Sequence, residues 1–137
     1  MSTLVDELKR HHQFLRERIE RVKQAGVDSA VGQTSLKQIK ASLLSHLAKE
    51  DAELYPALER AARSDPRLGD ILTLFREDIA QVASAATAFF AGFESGQLKG
   101  VQLAREFGSL VGQLTLRVAK EESVLYAEYD KVAALNR

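Results

Sequence analysis

Hydrophobic residues recur in steps of three and four along nearly the whole chain, which is the spacing of one face of an α-helix. They form four long segments, separated by polar or glycine-containing stretches near residues 26–33, 64–66 and 96–100. The period-two alternation of a β-strand is weak throughout. Four long helices with short loops predict an all-α fold, an antiparallel up-down-up-down four-helix bundle, and a single domain spanning residues 1–137.

Local signals predict where the helices begin and where they are disturbed. Thr34 or Ser35 is expected to cap the second helix, because both side chains can accept a hydrogen bond from the first turn. Asp65 followed by Pro66 predicts the start of the third helix, since proline suits the first helical position. Pro56 lies inside the second helix and lacks a backbone donor, so we expect a bend there.

Six polar residues lie on these apolar faces, where a bundle core would otherwise contain leucine. They are His12 on the first helix, His46 and Glu50 on the second, Asp78 on the third, and Arg117 and Glu121 on the fourth. Counting from the loops, at about 1.5 Å per residue, places all six near one height of the bundle. Buried charge is costly unless it is paired or bound to a metal, so this layer predicts a site.

The second half of the chain resembles the first. Residues 46–55 read HLAKEDAELY and residues 117–126 read RVAKEESVLY. The likeness indicates that the last two helices are an old copy of the first two. Arg117 then stands where the first half has His46.

The polar layer has the composition of a metal site. Histidine and glutamate four residues apart on a helix can bind one ion together, and bundle cores hold metals through inward side chains. The candidate ligands are His12, His46, Glu50, Asp78 and Glu121. Two imidazoles and three carboxylates suit iron, manganese or zinc. Arg117 cannot be a ligand, because its guanidinium stays protonated and repels a cation.

A metal-free polar network is the alternative to a metal site. In it, Arg117 pairs with the carboxylates of Glu50, Asp78 or Glu121. These four groups carry three negative charges and one positive charge. One divalent ion, two protonated histidines or raised carboxylate pKa values would supply the balance.

The chain resembles the hemerythrin-like, or HHE, cation-binding domain family. The likeness lies in His12 on the first helix and in residues 46–50 and Tyr55-Pro56 on the second. The length of the chain and its number of helices also match, so the resemblance covers nearly the whole chain. The resemblance implies a non-haem di-iron centre with mostly histidine ligands. It also implies roles in oxygen carriage, oxygen or redox sensing, or iron handling.

Carried over residue by residue, the resemblance implies that His12, His46, Glu50 and Glu121 are ligands, with Glu122 a second candidate for the last carboxylate. The family pattern has histidine where this chain has Asp78 and Arg117. Asp78 can still bind a hard metal, but Arg117 removes a ligand. We therefore expect a reduced non-haem site that holds one ion, with iron the first candidate, in sensing or metal handling. The alternative is a metal-free regulatory module that binds a protein partner, and an enzyme is the least favoured class.

The amino-acid composition limits which classes of partner and metal ligand the protein can use. Acidic and basic residues number 19 each, so no net charge indicates binding to nucleic acid or to a membrane. The chain has no cysteine, which excludes thiolate ligands. The first ten residues are charged where a signal peptide needs an apolar run, and we expect a cytoplasmic protein.

Several aromatic residues and one more histidine carry weaker predictions. His11 lies off the apolar face and is expected at the surface, with a place beside the ligands as the alternative. Tyr55 and Tyr126 are expected to pack in the core or at its rim, with a hydroxyl that reaches the polar layer as the alternative. Three phenylalanines crowd the third helix, at positions 89, 90 and 93. Two interpretations stay open: close helix packing, or, because three phenylalanines spaced this way cannot all face one core, an exposed aromatic patch that would form a homodimer.

Overall fold

The computed structural model describes residues 2–135, which contain helices and no strands. The α-helices are α1 (Thr3–Ala25), α2 (Ala30–Lys49), α3 (Tyr55–Ala62), α4 (Pro66–Ser95), α5 (Gly100–Lys120) and α6 (Tyr126–Leu135). A first π turn, Glu50–Leu54, joins α2 to α3, and a second π turn, Glu121–Leu125, joins α5 to α6. The elements therefore form four continuous helical rods, and the predicted all-α four-helix bundle is confirmed.

The first loop is shorter than the sequence predicts. Gly26, with a φ of 88°, follows the end of α1, and Ser29 accepts a hydrogen bond of 2.9 Å from the backbone N–H of Gly32. Ser29 therefore caps α2, so the predicted cap at Thr34 or Ser35 was wrong by about one turn. The serine side chain satisfies a donor of the first turn as soon as the chain reverses.

The turn between α3 and α4 is as predicted. Asp65 is the N-cap of α4, and its carboxylate accepts a hydrogen bond of 3.3 Å from the backbone N–H of Leu68. Pro66 occupies the first helical position, where its missing N–H costs nothing. This turn fixes the point from which α4 returns past the polar layer.

The π turns change which residues face the core. The first π turn ends at Leu54, two residues before Pro56, where the sequence predicted a bend, yet the second π turn forms without a proline. A π turn closes its hydrogen bonds over one extra residue, so the inward face moves by one position. Leu58 is consequently buried where an uninterrupted helical period would place Ala57, and Val124, which the same period would place inside, is 38% exposed.

The polar layer separates two hydrophobic clusters. One, toward the α1–α2 and α4–α5 loops, contains Ile19, Ile39, Phe89 and Leu110; the other, toward the α3–α4 turn, contains Leu8, Leu58, Leu68 and Leu125. Each cluster draws on all four rods. The buried polar groups between them are thus held by packing from both sides.

Of the two interpretations of the phenylalanines on α4, close helix packing is confirmed and the exposed aromatic patch was wrong. Phe89 and Phe90 are each only 4% exposed, and Phe93 packs half-buried against the same cluster. Adjacent positions on α4 face different neighbours: the Phe89 ring lies 6.0 Å from that of Phe107 on α5, whereas Phe90 lines a groove with Leu43 of α2. One helix between two neighbours can therefore bury phenylalanines that a single interface could not.

Within residues 2–135, none of the helices combines the length and the apolar content that crossing a bilayer requires.

Candidate metal centre

Three buried side chains from three rods converge in the polar layer. The Nε2 atoms of His12 and His46 lie 3.2 Å apart, and Oε1 of Glu121 lies 2.9 Å from the first and 3.5 Å from the second. Ligand atoms about 2.1 Å from a shared ion are separated by about 3.0–3.4 Å. The three atoms are thus spaced as ligands of one ion.

Glu50 completes this cluster from the beginning of the first π turn. Its Oε2 lies 3.3 Å from Nε2 of His46 and accepts a hydrogen bond of 2.8 Å from the Tyr126 hydroxyl. Its Oε1 is buried and has no hydrogen-bond partner among the residues that the structure describes. A buried unpaired carboxylate oxygen is costly, and a bound cation would satisfy it. The donor set therefore fits a metal ion.

Hydrogen bonds behind the histidines hold both rings toward the cluster. Nδ1 of His12 lies 2.7 Å from Oε2 of Glu122, which fixes the ring with its Nε2 free for a metal. Nδ1 of His46 lies 3.2 Å from Nδ1 of His11. Burial and the neighbouring His46 lower the pKa of His11, so its neutral ring can accept that hydrogen bond.

Two of these supporting contacts differ from the sequence-based expectations. His11 is half-buried and contacts a candidate ligand, so its expected place on the open surface was wrong. Glu122 contacts the far side of the His12 ring, away from the converging Nε2 atoms. The sequence signal for these supporting contacts is the presence of two adjacent pairs, His11-His12 and Glu121-Glu122. In each pair one residue reaches the site, and its neighbour on the helix reaches the border of the site.

Arg117 lies on the side of Glu121 that faces away from the histidines, and its guanidinium makes four hydrogen bonds there. It is 4% exposed. Its donors reach Oε2 of Glu121 at 3.2 Å, the backbone carbonyl of Phe75 at 3.0 Å, Oδ2 of Asp78 at 3.2 Å and the Tyr55 hydroxyl at 2.9 Å. The guanidinium is thereby fixed in one place by four partners from three rods.

Glu121 links the two halves of the layer. One of its oxygens faces the histidines, and the other faces the guanidinium of Arg117. Asp78 is half-buried and turned toward Arg117, with Lys120 at 3.9 Å. The structure therefore does not bring Asp78 to the histidine pair.

Both tyrosine hydroxyls reach the layer, which was the less favoured of the two expectations from the sequence. The backbone N–H groups of Tyr55 and Tyr126 bond to the carbonyls of Glu50 and Glu121, five residues earlier. This π-turn spacing places each tyrosine on the same face as the preceding glutamate. Helical periodicity of 3.6 residues does not reveal it.

The electrostatics of the cluster balance its charges without a metal. Burial acts to lower the pKa of His46, but hydrogen bonds to Glu121 and Glu50 raise it to about 9. Burial acts to raise the pKa of Glu121, but hydrogen bonds from His12 and His46 hold it well below its usual range. Burial raises the pKa of Glu50. A bound metal would displace the proton from His46 and take over its charge.

Comparison with known proteins identifies a family. Neither the curated proteins nor the solved structures contain a match to this chain. The family model of the hemerythrin HHE cation-binding domain matches residues 3–129, nearly the whole chain. The match spans all four rods and the converging His12, His46 and Glu121, and the chain belongs to the hemerythrin HHE cation-binding domain family.

Proposed function

We propose that this protein binds one iron ion through His12, His46, Glu50 and Glu121, and that it acts in sensing or metal handling. The proposal is carried mainly by the convergence of the two imidazole Nε2 atoms and one carboxylate oxygen of Glu121. The buried, unpaired Oε1 of Glu50 supports it. Nitrogen and carboxylate ligands together suit iron. The family is one of cation-binding domains, which supports the same assignment.

The position of Arg117 supports one ion and argues against two. Its guanidinium bonds to the oxygen of Glu121 that faces away from the histidines, where a second ion would share that carboxylate. A second cation there would meet a fixed positive charge at contact distance, in surroundings that screen it poorly. The guanidinium thus places a fixed positive charge where a second ion would otherwise bind.

The surrounding residues suit a site that is enclosed by the bundle and in which metal binding is linked to the stability of the fold. Iron bound here would supply a redox-active centre enclosed by the bundle. Glu122 and His11 hold the histidine rings, and Asp78 and Tyr55 hold Arg117. Because the layer lies between two hydrophobic clusters, metal binding would stabilise the folded bundle by mass action. A change in the concentration of available iron would then change the free energy of unfolding of the protein.

Replacing Glu122 with glutamine is expected to weaken iron binding by about 10–100-fold without abolishing it. The amide keeps the size of the side chain but is a weaker acceptor for Nδ1 of His12. Anaerobic calorimetric titration with ferrous iron measures the change. Glu17→Gln, at an exposed position on α1, is the control. Equal affinities in the two variants would contradict the role assigned to Glu122.

Elemental analysis tests the proposed function. The protein is purified without a histidine tag, added metal or chelator, and we expect one iron per chain. Two irons per chain would show that Arg117 leaves its place. No metal, even after anaerobic reconstitution with ferrous iron, would overturn the proposal.

That last outcome would favour the second candidate function, a metal-free regulatory module that binds a protein partner. The four hydrogen bonds of Arg117 and the raised pKa of His46 support it, because together they balance the layer without an ion. It gives no role to the unpaired oxygen of Glu50, which is why we favour the metal site.

A further inference from the structure

The hydroxyl of Tyr126 lies inside the proposed ligand set. It is 2.8 Å from Oε2 of Glu50, 3.2 Å from Nε2 of His12, and 3.3 Å from both Nε2 of His46 and Oε1 of Glu121. It is therefore within contact distance of a donor atom on all four proposed ligands. These distances are those between atoms that share one ion about 2.1 Å away.

We propose that Tyr126 is itself a ligand, and that ferric iron in this site is bound through its phenolate oxygen. This inference rests on the proposed function, since it requires a metal in the cluster. Tyrosine is an iron ligand in other proteins, and its phenolate is an anionic oxygen of the kind that ferric iron favours.

Charge supports this assignment. With Glu50, Glu121 and the Tyr126 phenolate as ligands, three negative charges face the three positive charges of ferric iron. Arg117 and Asp78 form a neutral pair beside them. The ion and its ligands then carry no net charge, which avoids the large cost of an unbalanced ion in the core.

Coordination requires the loss of one proton. In the metal-free protein, the Tyr126 hydroxyl donates a hydrogen bond of 2.8 Å to Oε2 of Glu50. A bound cation favours the loss of that proton because it stabilises an adjacent anion. The phenolic O–H bond breaks, the iron–oxygen bond forms, and the proton is released to solvent, with no change in the oxidation state of the iron.

The internal repeat provides a matched control. Tyr55 occupies the place in the first half that Tyr126 occupies in the second, and both follow a π turn. The Tyr55 hydroxyl, however, accepts a hydrogen bond of 2.9 Å from Arg117. Tyr55→Phe therefore removes the same atom from an equivalent position without removing a proposed ligand.

The test loads the parent protein, Tyr126→Phe and Tyr55→Phe with ferric citrate and then removes free iron. We expect the parent and Tyr55→Phe to show a visible tyrosinate-to-iron charge-transfer band, with tyrosine ring vibrations in its resonance Raman spectrum. Tyr126→Phe should retain iron and lose the band. An iron-loaded parent without the band, or a band that persists in Tyr126→Phe, would overturn the inference.

A further variant covers the case in which Tyr126→Phe does not fold. The chain has three tyrosines, so a band that survives the double replacement of Tyr55 and Tyr129 belongs to Tyr126. Loss of the band in that double variant would overturn the inference. If none of the proteins retains iron, the proposed function fails and this inference fails with it.

Discussion

Arg117→Ala is expected to lower the free energy of unfolding of the metal-free protein by about 3–5 kcal/mol, the usual cost of breaking a buried ion pair. The truncation leaves an oxygen of Glu121 and the Tyr55 hydroxyl without their donor, and it leaves Asp78 without its closest cation. Urea denaturation followed by circular dichroism measures the loss.

Lys120→Ala is the matched control for that prediction. Lys120 lies on the same helix, is 48% exposed, and is 3.9 Å from the same Asp78. Exposed ion pairs contribute about 0–1 kcal/mol, so its loss should be small. If the two variants were destabilised equally, the guanidinium would not be the structural centre of the layer.

His46→Ala is expected to abolish specific iron binding while the bundle stays folded. It removes one of the two converging imidazoles and also the side chain that links Glu50 to Glu121. Ferrous titration measures the affinity, and circular dichroism checks the helical content. The loss should exceed the about 10–100-fold expected for residues that only support a ligand.

His11→Ala separates ligation from support. His11 contacts His46 through its Nδ1 but lies outside the converging set. We expect weakened binding that still saturates. If His46→Ala retained the iron content of the parent, the assignment of His46 as a ligand would be wrong. If His11→Ala lost all binding, His11 would be the ligand and His46 the supporting residue.

The sequence predicts the fold and the height of the site because both depend on helical periodicity. His12 and His46 meet as their distances from the first loop require, even though that loop is shorter than predicted. An error in the length of one loop moves a residue by less than the spacing between layers. The cap at Asp65 and Pro66 is local chemistry and was predictable for that reason.

The sequence left open the direction in which a side chain points within the layer. Asp78 was expected either as a metal ligand or as a partner of Arg117, and in the structure it bonds to Arg117 and not to the histidines. Spacing along a helix gives the height of a residue but not which neighbour its side chain reaches. That choice depends on rotamers and on the packing of all four rods.

The π turns are the second feature that the pattern could not supply. In a regular α-helix, Val124 would face the core, and the side chain of Tyr126 would not lie on the same face as that of Glu121. The second π turn exposes Val124 and turns Tyr126 toward Glu50. The near-repeat of residues 46–55 in residues 117–126 indicates that both turns belong to one inherited element.

An anomalous difference map at the iron absorption edge, from crystals of the iron-loaded protein, tests the central claim most directly. We expect one peak between the imidazoles of His12 and His46 and the carboxylates of Glu50 and Glu121, with the guanidinium of Arg117 still in place. A second peak on the Arg117 side of Glu121, or no peak at the histidines, would contradict a one-ion site.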